Sequence, residues 1–217
     1  MELSRRMFVR AAVALGGALV TSRSMASAGL APSPMPQLVP AVPAAPEPQG
    51  VFAEARAALA RHMGQIASPD RIGLADYTVH SREFRFHIVN AESGEVIRSL
   101  LVSHGRGSDP ANSGFAERFS NRPGSNASSR GSFVTGEEYV GQHGRSRRLH
   151  GLESDNSNAF DRAIVIHGAD YVDADMAISA GRVGRSLGCF AFEQGEIAAV
   201  LDLLGPGRLL YAAGQTA

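Results

Sequence analysis

Between residues 84 and 102 the apolar residues recur with period two. Phe84-Arg85-Phe86-His87-Ile88-Val89 alternates, Glu92-Ser93-Gly94 supplies a turn, and Glu95-Val96-Ile97-Arg98-Ser99-Leu100-Leu101-Val102 returns. A half-buried strand needs this period and a helix cannot satisfy it, so the stretch predicts a β-hairpin and requires a sheet around it. Short strands are also expected at Ser132-Phe133-Val134-Thr135, over 147–152 and at Arg162-Ala163-Ile164-Val165-Ile166-His167. The last is nearly continuous in apolar residues, as in a central strand. Arg208-Leu209-Leu210-Tyr211 is placed to close the sheet.

Two segments have helical spacing. Residues 51–65 carry Phe52, Ala55, Leu59 and Met63 and end near the Ser68-Pro69-Asp70 breaker. Residues 193–204 place Ile197, Val200, Leu201 and Leu204 on one face, with Gly205-Pro206-Gly207 as the stop. The pattern is mainly β with flanking α-helices (α+β), in one domain over 51–217, without an internal repeat. Residues 105–130 are polar and rich in Gly, Ser and Asn; a loop of that length in a compact domain usually has a use, and a lid is one.

The first 50 residues read as delivery. Ser4-Arg5-Arg6-Met7-Phe8-Val9-Arg10 sets a twin arginine before the apolar run 11–20, and Ala26-Ser27-Ala28 offers a small-residue cleavage pattern. Residues 1–28 are therefore expected to be a twin-arginine signal peptide, leading to the periplasm or cell-wall space. The apolar run is about half the roughly 20 residues that span a bilayer, so no stable transmembrane span is expected after cleavage. Residues 29–50 form a linker, with seven of the 11 prolines between Pro32 and Pro48. Cleavage after Ala28 removes four Arg and one Glu, leaving 17 basic and 20 acidic residues. A mature charge of −3 gives no attraction to nucleic acid or to an anionic membrane.

Composition removes further chemistries. All 21 basic residues are Arg. Without lysine there is no P-loop lysine, no Schiff base and no Ser/Lys dyad. One cysteine forbids an intramolecular disulfide and a Cys-rich zinc site. The seven histidines lie on scattered segments without ligand-pair spacing, so neither a metal nor a cofactor is expected.

The cysteine itself lies in Gly184-Arg185-Ser186-Leu187-Gly188-Cys189-Phe190-Ala191-Phe192, read as a turn just before the helix over 193–204. A free cysteine is often a small buried hydrophobe. In an exported protein an unpaired thiol points instead to reactivity, and the N–H groups of Gly188 and Cys189 are candidates for an oxyanion hole. Its base candidate is His167, which ends the strand Ile164-Val165-Ile166 and precedes Gly168. His104, His143 and His150 also precede glycines, so a His-Gly pair alone has little specificity.

Together these residues carry a resemblance. Ile166-His167-Gly168 followed by Arg185-Ser186-Leu187-Gly188-Cys189 resembles the signature of the murein L,D-transpeptidase (YkuD-like) catalytic domain, with an H-G strand end before an S-x-G-C turn. Gly131-Ser132-Phe133-Val134-Thr135-Gly136 resembles the family's G-x-F segment. Ser103-His104-Gly105-Arg106-Gly107-Ser108 and Tyr139-Val140-Gly141-Gln142-His143-Gly144 are similar to segments of an exported subgroup. The resemblance covers about residues 75–192 and implies a β-sandwich or barrel-like catalytic domain.

It also implies roles. Cys189 is the nucleophile, His167 the base, Ser186 and Gly188 parts of the catalytic turn, and a carbonyl of Ser186 or Leu187 the group that orients the imidazole. Arg185, Gly168, Tyr139 and His143 are implied in substrate binding. Most members carry His at the position of Leu187 and often Arg soon after the cysteine; here Phe190-Ala191 follows, leaving Arg185 or Arg182 to meet a substrate carboxylate. The implied activity is acyl transfer on peptidoglycan stem tetrapeptides to form 3-3 cross-links. Two alternatives stand beside it: an L,D-carboxypeptidase or amidase hydrolase releasing D-Ala or wall-attached protein, and a non-catalytic wall-binding module. Stem peptides are the expected partners, and the oligomeric state is not readable in the sequence.

Overall fold

In the computed structural model, which describes residues 49–214, the hairpin spans β2 (Phe86–Asn90) and β3 (Val96–Leu100), paired antiparallel. It extends a sheet that the sequence indicates only in part. β1 (Arg71–Asp76) lies beside β2 and pairs in parallel with β8 (Leu209–Ala213). β4 (Gly131–Gly141), β5 (Gly144–Gly151) and β6 (Val165–Gly168) follow antiparallel, and β7 (Phe190–Phe192) pairs in parallel with β6. The strand order is β3-β2-β1-β8-β4-β5-β6-β7.

The two edges of this sheet meet. Beyond β3 the chain runs against the segment leading into β7: Ser103 N–H donates to Ala191 O (3.0 Å), Ser186 N–H to His104 O (2.9 Å) and Arg106 N–H to Ser186 O (2.8 Å). Edge strands left open are templates for unwanted pairing, and this contact closes the sheet into a barrel-like form.

Alternation along the strands sorts the side chains. Phe86, Ile88, Phe133, Leu149, Ile166, Phe190, Phe192 and Leu210 point inward to one core, joined by Val200, Leu201 and Leu204 of α3 (Ile197–Leu203) and its C-cap. Ile72, Leu74, Val89 and Leu209 point outward and are covered by Ala55 and Ala58 of α1 (Gln49–His62). The expected helix over 51–65 thus begins at Gln49 and ends in a 3₁₀ turn, Met63–Gln65.

Three expectations change. The strand over 162–167 starts only at Val165, because Ala163 has φ 53° and a left-handed residue breaks a ladder. The helix over 193–204 shortens to Ile197–Leu203, since residues 194–196 form a turn after β7. Cys189 therefore precedes a strand, not a helix. A short helix, α2 (Ala174–Ser179), is capped by Asp173, whose carboxylate accepts from Met176 N–H at 2.9 Å.

Among the described residues no helix is long and apolar enough to cross a membrane. The signal peptide and the linker up to residue 48 lie outside the described residues.

Candidate active site

Period two on β6 sends Ile166 into the core and Val165 and His167 to the opposite face. The register pairs Ile166 with Phe190 and His167 with Ala191, so one step back Cys189 lies across from Val165. Phe190 fills the core while Cys189, half-buried, shares the outward face with His167. Neighbouring strands thus bring thiol and imidazole to one cleft of about 500 Å³, together with Tyr139, His143, Arg185 and Ser186. Gly168 instead lines an adjoining cavity of about 440 Å³ with His143, Tyr171 and Gln194. Gly188 lies buried in the turn behind.

Ser186 ties that turn. Its hydroxyl donates to Cys189 O at 2.8 Å and accepts from Gly188 N–H at 3.1 Å. This corrects the expected oxyanion hole: the Gly188 N–H already donates to a hydroxyl and is not free for a ligand. The N–H groups of Cys189 and Val165 face the sulfur.

The imidazole is oriented differently from expectation. His167 Nδ1 bonds to Gly168 O at 2.8 Å, not to a carbonyl of Ser186 or Leu187. Ser186 O is already taken by Arg106 N–H. With Nδ1–H donating to Gly168 O, the lone pair resides on Nε2. The His143 ring stacks on His167 with centroids 4.3 Å apart. Cys189 Sγ bonds to Ala163 O at 3.5 Å.

Burial favours the neutral form of both groups. Burial pushes the Cys189 thiol up, against the Val165 N–H, the Arg162 guanidinium and its own N–H. Burial draws the His167 imidazole down, the Gly168 carbonyl opposes that, and His143 adds to it.

Several contributors have no signal in the sequence. Arg162 lines the cleft, although it reads as the first residue of a strand. Tyr171 lines both cavities. Outside the cleft lining, Arg85, His104 and Asp109 are all fully buried. Arg85 Nη2 donates to His104 Nδ1 (2.7 Å), and His104 Nε2 bonds to Asp109 Oδ2 (3.2 Å). Asp109 also accepts from the N–H groups of Ser113 and Gly114. This relay packs the start of the loop over 105–130 into the protein, and Arg185 Nη1 donates to Asp109 O. Of the two arginines considered for a substrate carboxylate, Arg185 is in the cleft, while Arg182 lies outside its lining and bonds to Ala180 O.

Residues 47–213 match the model of the L,D-transpeptidase catalytic domain of the YkuD type. The chain belongs to that family. No curated protein matches it. Among solved structures, the L,D-transpeptidase domain is similar to an L,D-transpeptidase from Mycobacterium smegmatis, with 16% identity, TM-score 0.42, and 67% of this chain and 59% of that one covered. It is also similar to L,D-transpeptidase 3 from Mycobacterium tuberculosis in complex with a faropenem-derived adduct, with 13% identity, TM-score 0.41, and 68% and 61% covered. A third is the helical cell shape determining protein Pgp2 from Campylobacter jejuni, with 12% identity, TM-score 0.43, and 78% and 58% covered. The chain spans about three fifths of the length of these solved chains.

Within the L,D-transpeptidase domain, Leu187 is 56% exposed on the cleft wall. Among the described residues no group of three His, Cys, Asp or Glu side chains is placed to hold a metal.

Proposed function

We propose that this chain is an exported L,D-transpeptidase that acts on peptidoglycan stem tetrapeptides through Cys189. The observation that carries the reading is the register of β6 and β7, which turns Cys189 and His167 to one face and one cleft while their chain neighbours fill the core.

The chemistry starts from the neutral pair. Rotation of the Cys189 side chain away from Ala163 O brings the thiol toward Nε2 of His167, which takes its proton as the sulfur attacks the carbonyl of the diamino acid at the third stem position. The N–H of Cys189 is the donor in the turn still available to the oxyanion. Collapse breaks the peptide bond to the terminal D-alanine, whose amine leaves with the proton from His167. An amine of a neighbouring stem then attacks the thioester, loses its proton to His167 and forms a 3-3 cross-link as the thiol is restored. Gly168 O, by holding Nδ1–H, keeps the lone pair on the nitrogen that must move these protons. Arg185 is the cleft cation for a substrate carboxylate, and Tyr139 and His143 form the wall beside it.

A hydrolytic outcome is the second reading, favoured by one observation: the exposed Leu187 puts an apolar side chain on the cleft wall. Water would then resolve the thioester, giving carboxypeptidase or amidase activity. Incubation with purified tetrapeptide muropeptides tests the two. Dimers joined 3-3 are expected; tripeptide monomers alone would replace transfer by hydrolysis, and unchanged substrate would leave the non-catalytic wall-binding module. Export through residues 1–28 predicts a secreted form beginning at Gly29, read by N-terminal sequencing; a secreted form retaining Met1 would contradict cleavage.

A further inference from the structure

Arg162 enters the cleft from the residue before Ala163, and both terminal nitrogens of its guanidinium are engaged. Nη1 donates to Ser120 O and Ser129 Oγ, both at 2.6 Å. Nη2 donates to Ala127 O at 2.5 Å and to Ser125 Oγ at 3.3 Å. All four acceptors are neutral, and no carboxylate lines the cleft. A half-buried charge is commonly paired with a counter-ion. Here the positive charge is held by dipoles alone, so its field is not cancelled locally.

That charge abuts the nucleophile turn. A Cβ on Gly188 would lie 3.2 Å from Arg162 Nη2 and 2.7 Å from Ala127 O, the carbonyl that Arg162 holds. One residue on, Ala163 adopts φ 53° and offers its carbonyl to Cys189 Sγ. Arg162 and Ala163 therefore grip the turn from two sides, the guanidinium at Gly188 and the carbonyl at the thiol.

We propose that Arg162 is a positioning residue for Cys189: its fork pins the segment over 120–129 against the nucleophile turn and keeps an unneutralised positive charge beside the sulfur. The proposal deepens the cysteine acyl-transfer reading and rests on it. Arginine suits the task because a planar fork reaches four acceptors at once, which a lysine ammonium cannot do in the same geometry. The other ionisable groups facing the cleft are Arg185, His143, His167, Tyr139 and Tyr171.

The sole cysteine makes the test selective, since alkylation of the full chain reads Cys189 alone. The pH profile of iodoacetamide alkylation and the rate of acylation by a carbapenem, followed by intact mass, are measured for wild type, Arg162→Gln and Arg162→Lys. Arg162→Gln is expected to move the alkylation midpoint to higher pH and to slow acylation about tenfold, the effect of losing one nearby charge. Arg162→Lys is expected to restore the midpoint and not the rate, because the charge returns without the fork. A Gln variant with the wild-type midpoint, or a Lys variant with the wild-type rate, overturns the proposal. If the Gln variant loses its fold by near-ultraviolet circular dichroism, the Lys comparison decides. A wild type that alkylates but takes no carbapenem overturns acyl transfer instead, and the alkylation profiles then judge Arg162 on their own.

Discussion

A methyl group at position 188 would meet Ala127 O at 2.7 Å, Ile164 Cδ1 at 2.8 Å and Arg162 Nη2 at 3.2 Å. The backbone there has φ 120°, where only glycine is unstrained. Both effects act on one turn, so Gly188→Ala is expected to cost about 3 kcal/mol of stability, measured by urea denaturation. A variant as stable as wild type would mean that the turn is looser than these contacts require. The sequence makes Gly188 conspicuous by its place before Cys189, yet it suggests an open N–H there. Ser186 closes that N–H, a fact that depends on one hydroxyl rotamer and so has no trace in residue order. The Gly168 carbonyl on His167 is hidden in the same way.

At the scale of elements, legibility follows how much of a strand's burial is its own. The hairpin of β2 and β3 alternates and is local, so the sequence reveals it. β1, Arg-Ile-Gly-Leu-Ala-Asp, does not alternate in hydrophobicity, because Gly73 faces inward where Leu204 Cδ1 and Phe86 Cζ leave a Cβ only 3.0 Å of room. β7 has three residues and becomes a strand only through β6, 24 positions earlier in the register. That partner decides where Cys189 points, so the element most important to the site is the one least visible in the sequence. Conversely α3 is legible from its stripe of Ile197, Val200 and Leu201, the last two fully buried against the barrel interior. Leu201→Ala is therefore expected to cost about 3 kcal/mol in chemical denaturation; a loss below about 1 kcal/mol would place α3 outside the cooperative core.

For the whole molecule, the Arg85–His104–Asp109 relay links folding to pH. Burial, with the Arg85 charge adding to it and Asp109 opposing it, draws His104 down to about 4. In the unfolded chain the same imidazole titrates near 6.5. Between these values the unfolded chain binds a proton that the folded protein refuses, so stability must fall as pH falls from about 6.5 to about 4. The contribution of His104 to that loss is about 3 kcal/mol. Melting temperatures of wild type should decline across this window, and His104→Gln should flatten the decline. An equal slope in the variant would assign the acid sensitivity elsewhere.

The central claim is that the turn closed by Ser186 presents Cys189 as an acylating nucleophile served by His167. Intact mass after incubation with a carbapenem tests it most directly, because a ring-opened β-lactam on the only thiol leaves the whole reagent attached. One carbapenem mass is predicted on wild type, none on Cys189→Ala, and slowed addition on His167→Gln. No adduct on wild type, or an equal adduct on Cys189→Ala, would contradict the account.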